Sequence, residues 1–213
     1  YEVELFDPVE LHVRQTAELA TERGVTVKAE IGDARAIERP EWYAAAVVLL
    51  GPLYHLTSRA DRLRCLEEAL RVLRPGGVLV AAGISRFAAV LDNLGREIID
   101  DDQWWERWAA IRHTTVAGTH VNPQRRPGLF TTAFFHHPDD LASEVAEAGF
   151  VGVSVLAVEG PGLLLGDLEA RAADPGRWSR LLEVLRWLEA EPSMLGSTGH
   201  LLATATRPGG SGA

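Results

Sequence analysis

The sequence predicts an α/β protein: a three-layer α/β/α sandwich around a mostly parallel sheet whose last strand, near residues 200–206, runs antiparallel at or beside an edge. Three observations carry this. Between residues 46 and 84 an apolar run, AVVLL, leads through GPLYHL into a helical pattern, then RPGG, then a second apolar run, VLVAAGIS. Continuous apolar runs of this length read as strands buried on both faces of a parallel sheet. The same alternation of strand and helix already begins at the first residues. Two late apolar strands with a helix between them then close the chain, an order that suits a layered sandwich.

Taken in order, YEVELFDP reads as a strand with Val3 and Leu5 on its face and Pro8 at its end. A helix follows over roughly 9–22, with Val9, Val13, Ala17 and Ala20 on one stripe and Gly24 as its stop. VTVKAEI is the next strand, ending in Gly32-Asp33-Ala34. After AVVLL, Leu63, Leu66, Leu70 and Leu73 recur at helical spacing, with Thr57 or Ser58 as N-cap, and Pro75, Gly76 and Gly77 return the chain to the sheet. Strand, helix and parallel strand make one right-handed crossover. Residues 86–137 break the alternation: two helices, about 86–99 and 101–112, and a turn-rich segment form an insertion expected to cap the ligand face. HHPDDLASEVAEAGF gives a helix, FVGVSVLAV a strand, and Trp178, Leu181, Leu185 and Leu188 one face of the helix before the final strand, GHLLATAT. Residues 1–213 read as a single domain with a flexible tail over 208–213. Because the chain opens on a sheet strand, a preceding strand and a glycine-rich turn are expected upstream of Tyr1.

Composition narrows the function. The net charge is −9, from 30 acidic and 21 basic residues, and Lys28 is the one lysine. A nucleic-acid partner calls for a basic footprint, and Arg125–Arg126 is the one short cluster here, so no nucleic acid is expected. No apolar run approaches the roughly 18 residues of a membrane-spanning helix, so no membrane association is expected. Cys65, the single cysteine, excludes a disulfide framework and a cysteine-rich metal site; it reads as a half-buried structural thiol of a cytoplasmic protein.

In an open parallel sheet, ligands sit beyond the carboxyl ends of the strands, which places Gly51, Tyr54, His55, Ser85 and Arg86 at the ligand face. Asp7 has two readings there: an acceptor for ribose hydroxyls, or a cap for the helix that Pro8 begins. Asp33 carries the same ambiguity. Five of the seven histidines, His55, His113, His120, His136 and His137, fall at this face or in the insertion. His136-His137-Pro138-Asp139-Asp140 reads as a helix start rather than a metal site, and no metal is expected. Trp104, Trp105 and Trp108 read as docking the cap onto the core, with direct substrate contact as the alternative, and Gly160-Pro161-Gly162 is a turn. Gly83-Ile84-Ser85-Arg86-Phe87 lacks the closing glycine of a serine hydrolase's nucleophile elbow.

This order of parts resembles the class I S-adenosylmethionine-dependent methyltransferases of the small-molecule type. The resemblance rests on VELFDP, Gly32-Asp33-Ala34, VVLLGPLYHL and ALRVLRPGGVLV, covers residues 1–84, and continues through HHPDDLASEVAEAGF and GHLLATAT. It implies a Rossmann-like sheet and S-adenosylmethionine as cofactor. It further implies that Asp7 and Pro8 lie at the ribose, Gly32, Asp33 and Ala34 at the adenine, and Leu50, Gly51 and Tyr54 along the methionine end. Two family features depart: the glycine-rich loop after the first strand, and an acid at the start of the fourth, where Ala44-Ala45-Ala46 stands. The implied reaction is methyl transfer to a small organic acceptor, at oxygen or nitrogen. The cofactor then supplies the reactivity and the protein the alignment, and a base is needed where the acceptor must lose a proton; His55 is the first candidate and His120 the second. Alternatives are a catalytically degenerate methyltransferase-like binding domain, or a NAD(P)-dependent oxidoreductase, whose Tyr-x-x-x-Lys pair this chain cannot form.

Overall fold

The computed structural model describes residues 1–122 and 130–209; Arg125–Arg126 and the last four residues of the expected flexible tail lie outside them. The strands are β1 (Val3–Asp7), β2 (Val27–Ile31), β3 (Ala44–Leu49), β4 (Leu73–Ser85), β5 (Thr119–His120), β6 (Ala133–His136), β7 (Val151–Ala157) and β8 (His200–Thr206). The helices are α1 (Glu10–Arg23), α2 (Pro52–His55), α3 (Arg59–Val72), α4 (Ala88–Gly95), α5 (Asp102–Ala117), α6 (Pro138–Glu147), α7 (Leu168–Ala172) and α8 (Pro175–Leu188), with a 3-10 turn over Gly160–Leu164.

Two sheets result. β1 and β2 pair in parallel, Val3 opposite Val27. The other six strands form a mixed sheet in the order β5-β6-β4-β8-β7, with β3 also pairing β4. β3 and β6 run parallel to β4, whereas β8 lies antiparallel between β4 and β7, beside the edge as expected. α3 and α6 cover one face, burying Cys65, Leu66, Leu79, Leu141, Val145 and Leu201 in the main core. On the facing edge and opposite face, Val48 is 56% and Val78 41% exposed, although the sequence reads as strands buried on both sides. β1 and β3 make no backbone pairing with each other among the described residues.

Several boundaries differ for local reasons. α3 ends at Val72, so Pro75, Gly76 and Gly77 lie within the long strand β4 rather than between helix and strand. Its buried stripe is Arg62, Cys65, Leu66, Ala69 and Val72, rotated from the leucine stripe, so Cys65 is fully buried rather than half-buried and burial pushes its thiol up to about 12. Part of the turn-rich segment becomes the hairpin β5–β6, entered through Gly118 at φ 77. α4 stops at Gly95 and α5 extends to Ala117. On α8 the expected inner face is only half-buried, packed through Leu185 on Gly160 and Gly162, and Trp187 is 83% exposed.

Candidate active site

The strands bring their carboxyl ends to one rim. Tyr43, just ahead of β3, donates its phenol to Glu4 in the first half of β1 at 2.8 Å, so β1 and β3 enter from the same end of the molecule and Asp7 and Leu50 leave at the other. Because β8 is antiparallel to β4, its first residue, His200, belongs to that rim as well.

At the end of β1, Asp7 Oδ1 accepts from the Val9 backbone N–H at 2.8 Å and faces His12 Nδ1 at 3.1 Å. One oxygen thus serves the start of α1, as an Asx turn does; no hydrogen bond among the described residues uses Oδ2. Gly32 donates its N–H to the Asp7 carbonyl at 3.2 Å, so these two positions meet. A Cβ on Gly32 would stand 3.0 Å from the Phe6 ring, so a larger residue there would make that ring give way. Asp33 turns away and is gripped by Arg35 at 2.6 Å, and that hydrogen bond holds its carboxyl below the ordinary range. With Arg35, Ala36, Asp61 and Arg64 it lines a shallow cavity of about 230 Å³.

At the end of β3, Tyr54 folds back and donates its phenol to the Leu50 carbonyl at 2.6 Å. Burial raises the Tyr54 phenol, which keeps it neutral and donating. Its ring lies 4.8 Å from that of His55 and packs on Ile84, Ala133 and Phe135; His55 itself is exposed at the end of α2. The cap reaches the same apolar cluster from the far side. His120 is buried with its ring 5.6 Å from Phe135, its Nδ1 3.1 Å from Thr114 Oγ1 and its Nε2 3.0 Å from the Phe130 carbonyl. A carbonyl needs a donor, so Nε2 carries the proton and both nitrogens are engaged; burial lowers the ring's pKa. Trp104 is buried beside Trp105 and Trp108, whereas Trp105 is 56% exposed, so the three do not turn inward together.

Ser85 and Arg86 end β4. Ser85 is buried, its N–H donating to Gly199, and Arg86 pairs with Asp140 at 2.5 Å. His137 caps α6 by accepting from the Asp139 N–H, the helix start read from sequence. Among the described residues no group of three or more His, Cys, Asp or Glu is placed to hold a metal ion.

Sequence reasoning missed two clusters. Arg62 and Glu144 form a buried two-pronged ion pair between α3 and α6, with His136 alongside. At the rim, Glu159, Thr198 and His200 interlock where the sequence showed only a glycine turn and a strand start.

Residues 1–77 match the family model described as a methyltransferase domain. Among solved structures, an S-adenosylmethionine-dependent methyltransferase from Methanosarcina mazei superimposes with TM-score 0.60 at 13% identity, over 98% of this chain and 83% of that one. Residues 1–77 thus resemble a methyltransferase domain in sequence, and the chain as a whole shares the fold of S-adenosylmethionine-dependent methyltransferases. The cyclase SpnF shares the fold at TM-score 0.54 and 18% identity, over 98% of this chain and 67% of that one. A Thermotoga maritima S-adenosylmethionine-dependent methyltransferase, described as a possible histamine N-methyltransferase, does so at TM-score 0.50 and 17% identity, over 95% and 72%. No curated protein sequence matches the chain. Among the described residues no helix is long and apolar enough to cross a membrane.

Proposed function

We propose that the chain is an S-adenosylmethionine-dependent methyltransferase that acts in the cytoplasm on a small organic acceptor, at oxygen or nitrogen, beneath the cap formed by residues 86–137. The observation that carries the proposal is the shared apolar cluster: Tyr54 from the rim and His120 and Phe135 from the cap meet over Ile84, which gives a compact aromatic wall beside the strand ends. Such a wall suits a planar or amphipathic molecule, and a net charge of −9 disfavours a polyanion.

The residues present suit the cofactor. Asp7 offers Oδ2 to a diol, Gly32, Asp33 and Ala34 form the turn beside it, and Leu50, Gly51 and Tyr54 line the neighbouring strand end. Bound there, S-adenosylmethionine supplies a sulfonium methyl group. The chain's own part is to hold, orient and exclude water, and to remove a proton from the acceptor. His55, exposed beside Tyr54, is a candidate for that step; His120, with both nitrogens engaged, would first have to give up a partner.

Calorimetry with S-adenosylhomocysteine tests the cofactor half. A carboxylate hydrogen bond to a ligand is worth about 1.5–3 kcal/mol, so Asp7→Ala is expected to weaken binding roughly ten- to a hundredfold with little loss of stability. Unchanged affinity would leave Asp7 as a helix cap alone. Thermal-shift measurements with NAD in parallel separate the oxidoreductase reading, which requires stabilisation by NAD and none by S-adenosylhomocysteine.

A further inference from the structure

We propose that His200, held in place by Glu159, takes the acceptor's proton during methyl transfer; the inference rests on the methyltransferase reading above and names the base within it.

Position comes first. In the antiparallel register His200 stands opposite Ile84, so both side chains leave the same face of the sheet. Ile84 belongs with Ala133 and Phe135 to the buried cluster against which Tyr54, Ala88 and Ala89 pack. His200 therefore flanks the aromatic wall at the rim, next to the strand end that carries Ser85 and Arg86.

The second point is how firmly the ring is built in. Glu159 Oε1 lies 2.5 Å from His200 Nδ1, and Oε2 accepts from the His200 backbone N–H at 2.9 Å. Thr198, fully buried, donates its hydroxyl to the same Oε2 at 2.8 Å and accepts from the N–H groups of Glu159 and Gly160 at 3.1 and 3.2 Å. A carboxylate facing Nδ1 fixes the proton there, which turns the Nε2 lone pair outward. No hydrogen bond among the described residues uses Nε2, and the side chain is 52% exposed. His12 also faces a carboxylate through Nδ1, that of Asp7 at 3.1 Å, but it stands on α1, which packs on β1 and β2 rather than on the strands around Ile84. The other histidines of this face lack the combination. His120 has both nitrogens engaged, His136 is fully buried, and no hydrogen bond among the described residues fixes the ring of His55. A base oriented by a third group is the arrangement that general-base chemistry uses.

In the step itself, the proton of an acceptor O–H or N–H passes to Nε2 as the acceptor's lone pair forms the new bond to the methyl carbon. The electron pair of the broken carbon–sulfur bond stays on sulfur, and the imidazolium, balanced by Glu159, later returns its proton to solvent. Glu159 is the charged group that acts on His200; Ile84 and Ser85 from β4, and Thr198 and Gly199 ahead of β8, bring none. Its hydrogen bond raises the His200 pKa above the ordinary 6.5 against the opposing effect of burial. Burial pushes Glu159 itself up, but His200 and Thr198 hold it down at about 2, so it is ionised throughout the working range. The competent, neutral form of His200 hence gains population as pH rises through a value above 6.5.

The experiment is NMR of protein labelled with nitrogen-15 in its histidines, followed across pH, with His200→Gln and His55→Gln assigning the signals. His200 is expected as the Nδ1–H tautomer with a pKa above 6.5. Glu159→Gln should lower that pKa, whereas Thr198→Val, which takes one hydrogen bond from the Glu159 carboxylate and leaves its charge, should not lower it. Phenol added to protein saturated with S-adenosylhomocysteine should shift His200 Nε2 and leave His55 unmoved. A response at His55 alone, no response at either, or a His200 titration indifferent to Glu159→Gln overturns the assignment. Failure of S-adenosylhomocysteine to bind in calorimetry is a separate result, which overturns the methyltransferase reading and the base with it.

Discussion

Arg62 and Glu144 show how much a single buried pair can decide. Arg62 is 2% exposed, meets Glu144 through Nε at 2.9 Å and a terminal nitrogen at 2.7 Å, and donates its other nitrogen to the Leu56 and Thr57 carbonyls. Its guanidinium also lies 3.6 Å from the centre of the Phe134 ring, so the pair ties α3 and α6 to the cap hairpin. Removing one partner of such a pair leaves a buried charge, whereas removing both often restores stability. Arg62→Met is therefore expected to cost about 3–5 kcal/mol in urea unfolding at pH 7, and Arg62→Met with Glu144→Leu considerably less. Burial works to raise Glu144, but His136 and Arg62 hold it at about 2 against an ordinary 4.5. A depressed carboxyl stabilises the fold fully above the unfolded pKa and loses that contribution as pH falls from about 4.5 towards 2. The double variant should lack this acid-side loss. None of this was legible in the sequence, because an arginine and a glutamate 82 positions apart on two helices look like solvated surface charges. Asp7 was legible in kind: its position at a strand end showed from sequence, while its bond to Val9 shows that one oxygen already serves the cap.

At the scale of elements, the strands were readable wherever burial imposed a continuous apolar run, as in β3 and β4, and the antiparallel β8 followed from the order of the last elements. What escaped was any contact that depends on two distant segments meeting. Gly77 illustrates this. The sequence marks it only as a helix stop, yet a Cβ there would stand 2.8 Å from the Arg74 carbonyl and 3.1 Å from that of Ala45. It is thus a close-approach glycine where β4 settles against β3. Gly76 beside it has φ 75 but open space around it. Gly77→Ala should destabilise the protein by about 1–3 kcal/mol through displaced backbone. Gly76→Ala should cost about 1–2 kcal/mol through left-handed strain alone. Denaturation midpoints of the two variants measure the difference, and an unaffected Gly77→Ala would show that β3 can shift without cost. The tryptophans of α8 mark the reverse failure: helical spacing placed Trp178 inward, but α8 packs mainly on the 3-10 turn and α7, and both Trp178 and Trp187 stay exposed.

For the molecule as a whole, the question is how the two-stranded sheet stays attached to the six-stranded one. A two-stranded sheet is marginal alone, and no backbone ladder joins β1 to β3 among the described residues. The tie runs instead through Arg39, which donates to Glu4 at 2.7 Å and to Glu30 at 2.6 Å and stacks over Phe6 at 4.8 Å. Both carboxyls are held below their ordinary range, Glu4 chiefly and Glu30 in part by Arg39, with Lys28 contributing more at Glu30. Behind it, Arg71 donates to the Arg39 and Ile37 carbonyls at 2.8 Å and pairs with Glu68, which fastens the connecting loop to α3. This loop sits between Asp33 and β3, so its order sets the relative placement of the two halves of the candidate cofactor site. Solvent screens each of these bonds, but Arg39 joins both strands of the small sheet to the loop at once, so its loss should show first as local opening. Arg39→Ala is accordingly expected to speed hydrogen exchange in residues 1–31 by roughly tenfold or more, while β4 and β8 keep wild-type protection. S-adenosylhomocysteine, which would span both halves, should restore protection in the variant. Equal acceleration across β4 and β8 would instead mean that the two sheets open as one cooperative unit and that Arg39 is not the tie.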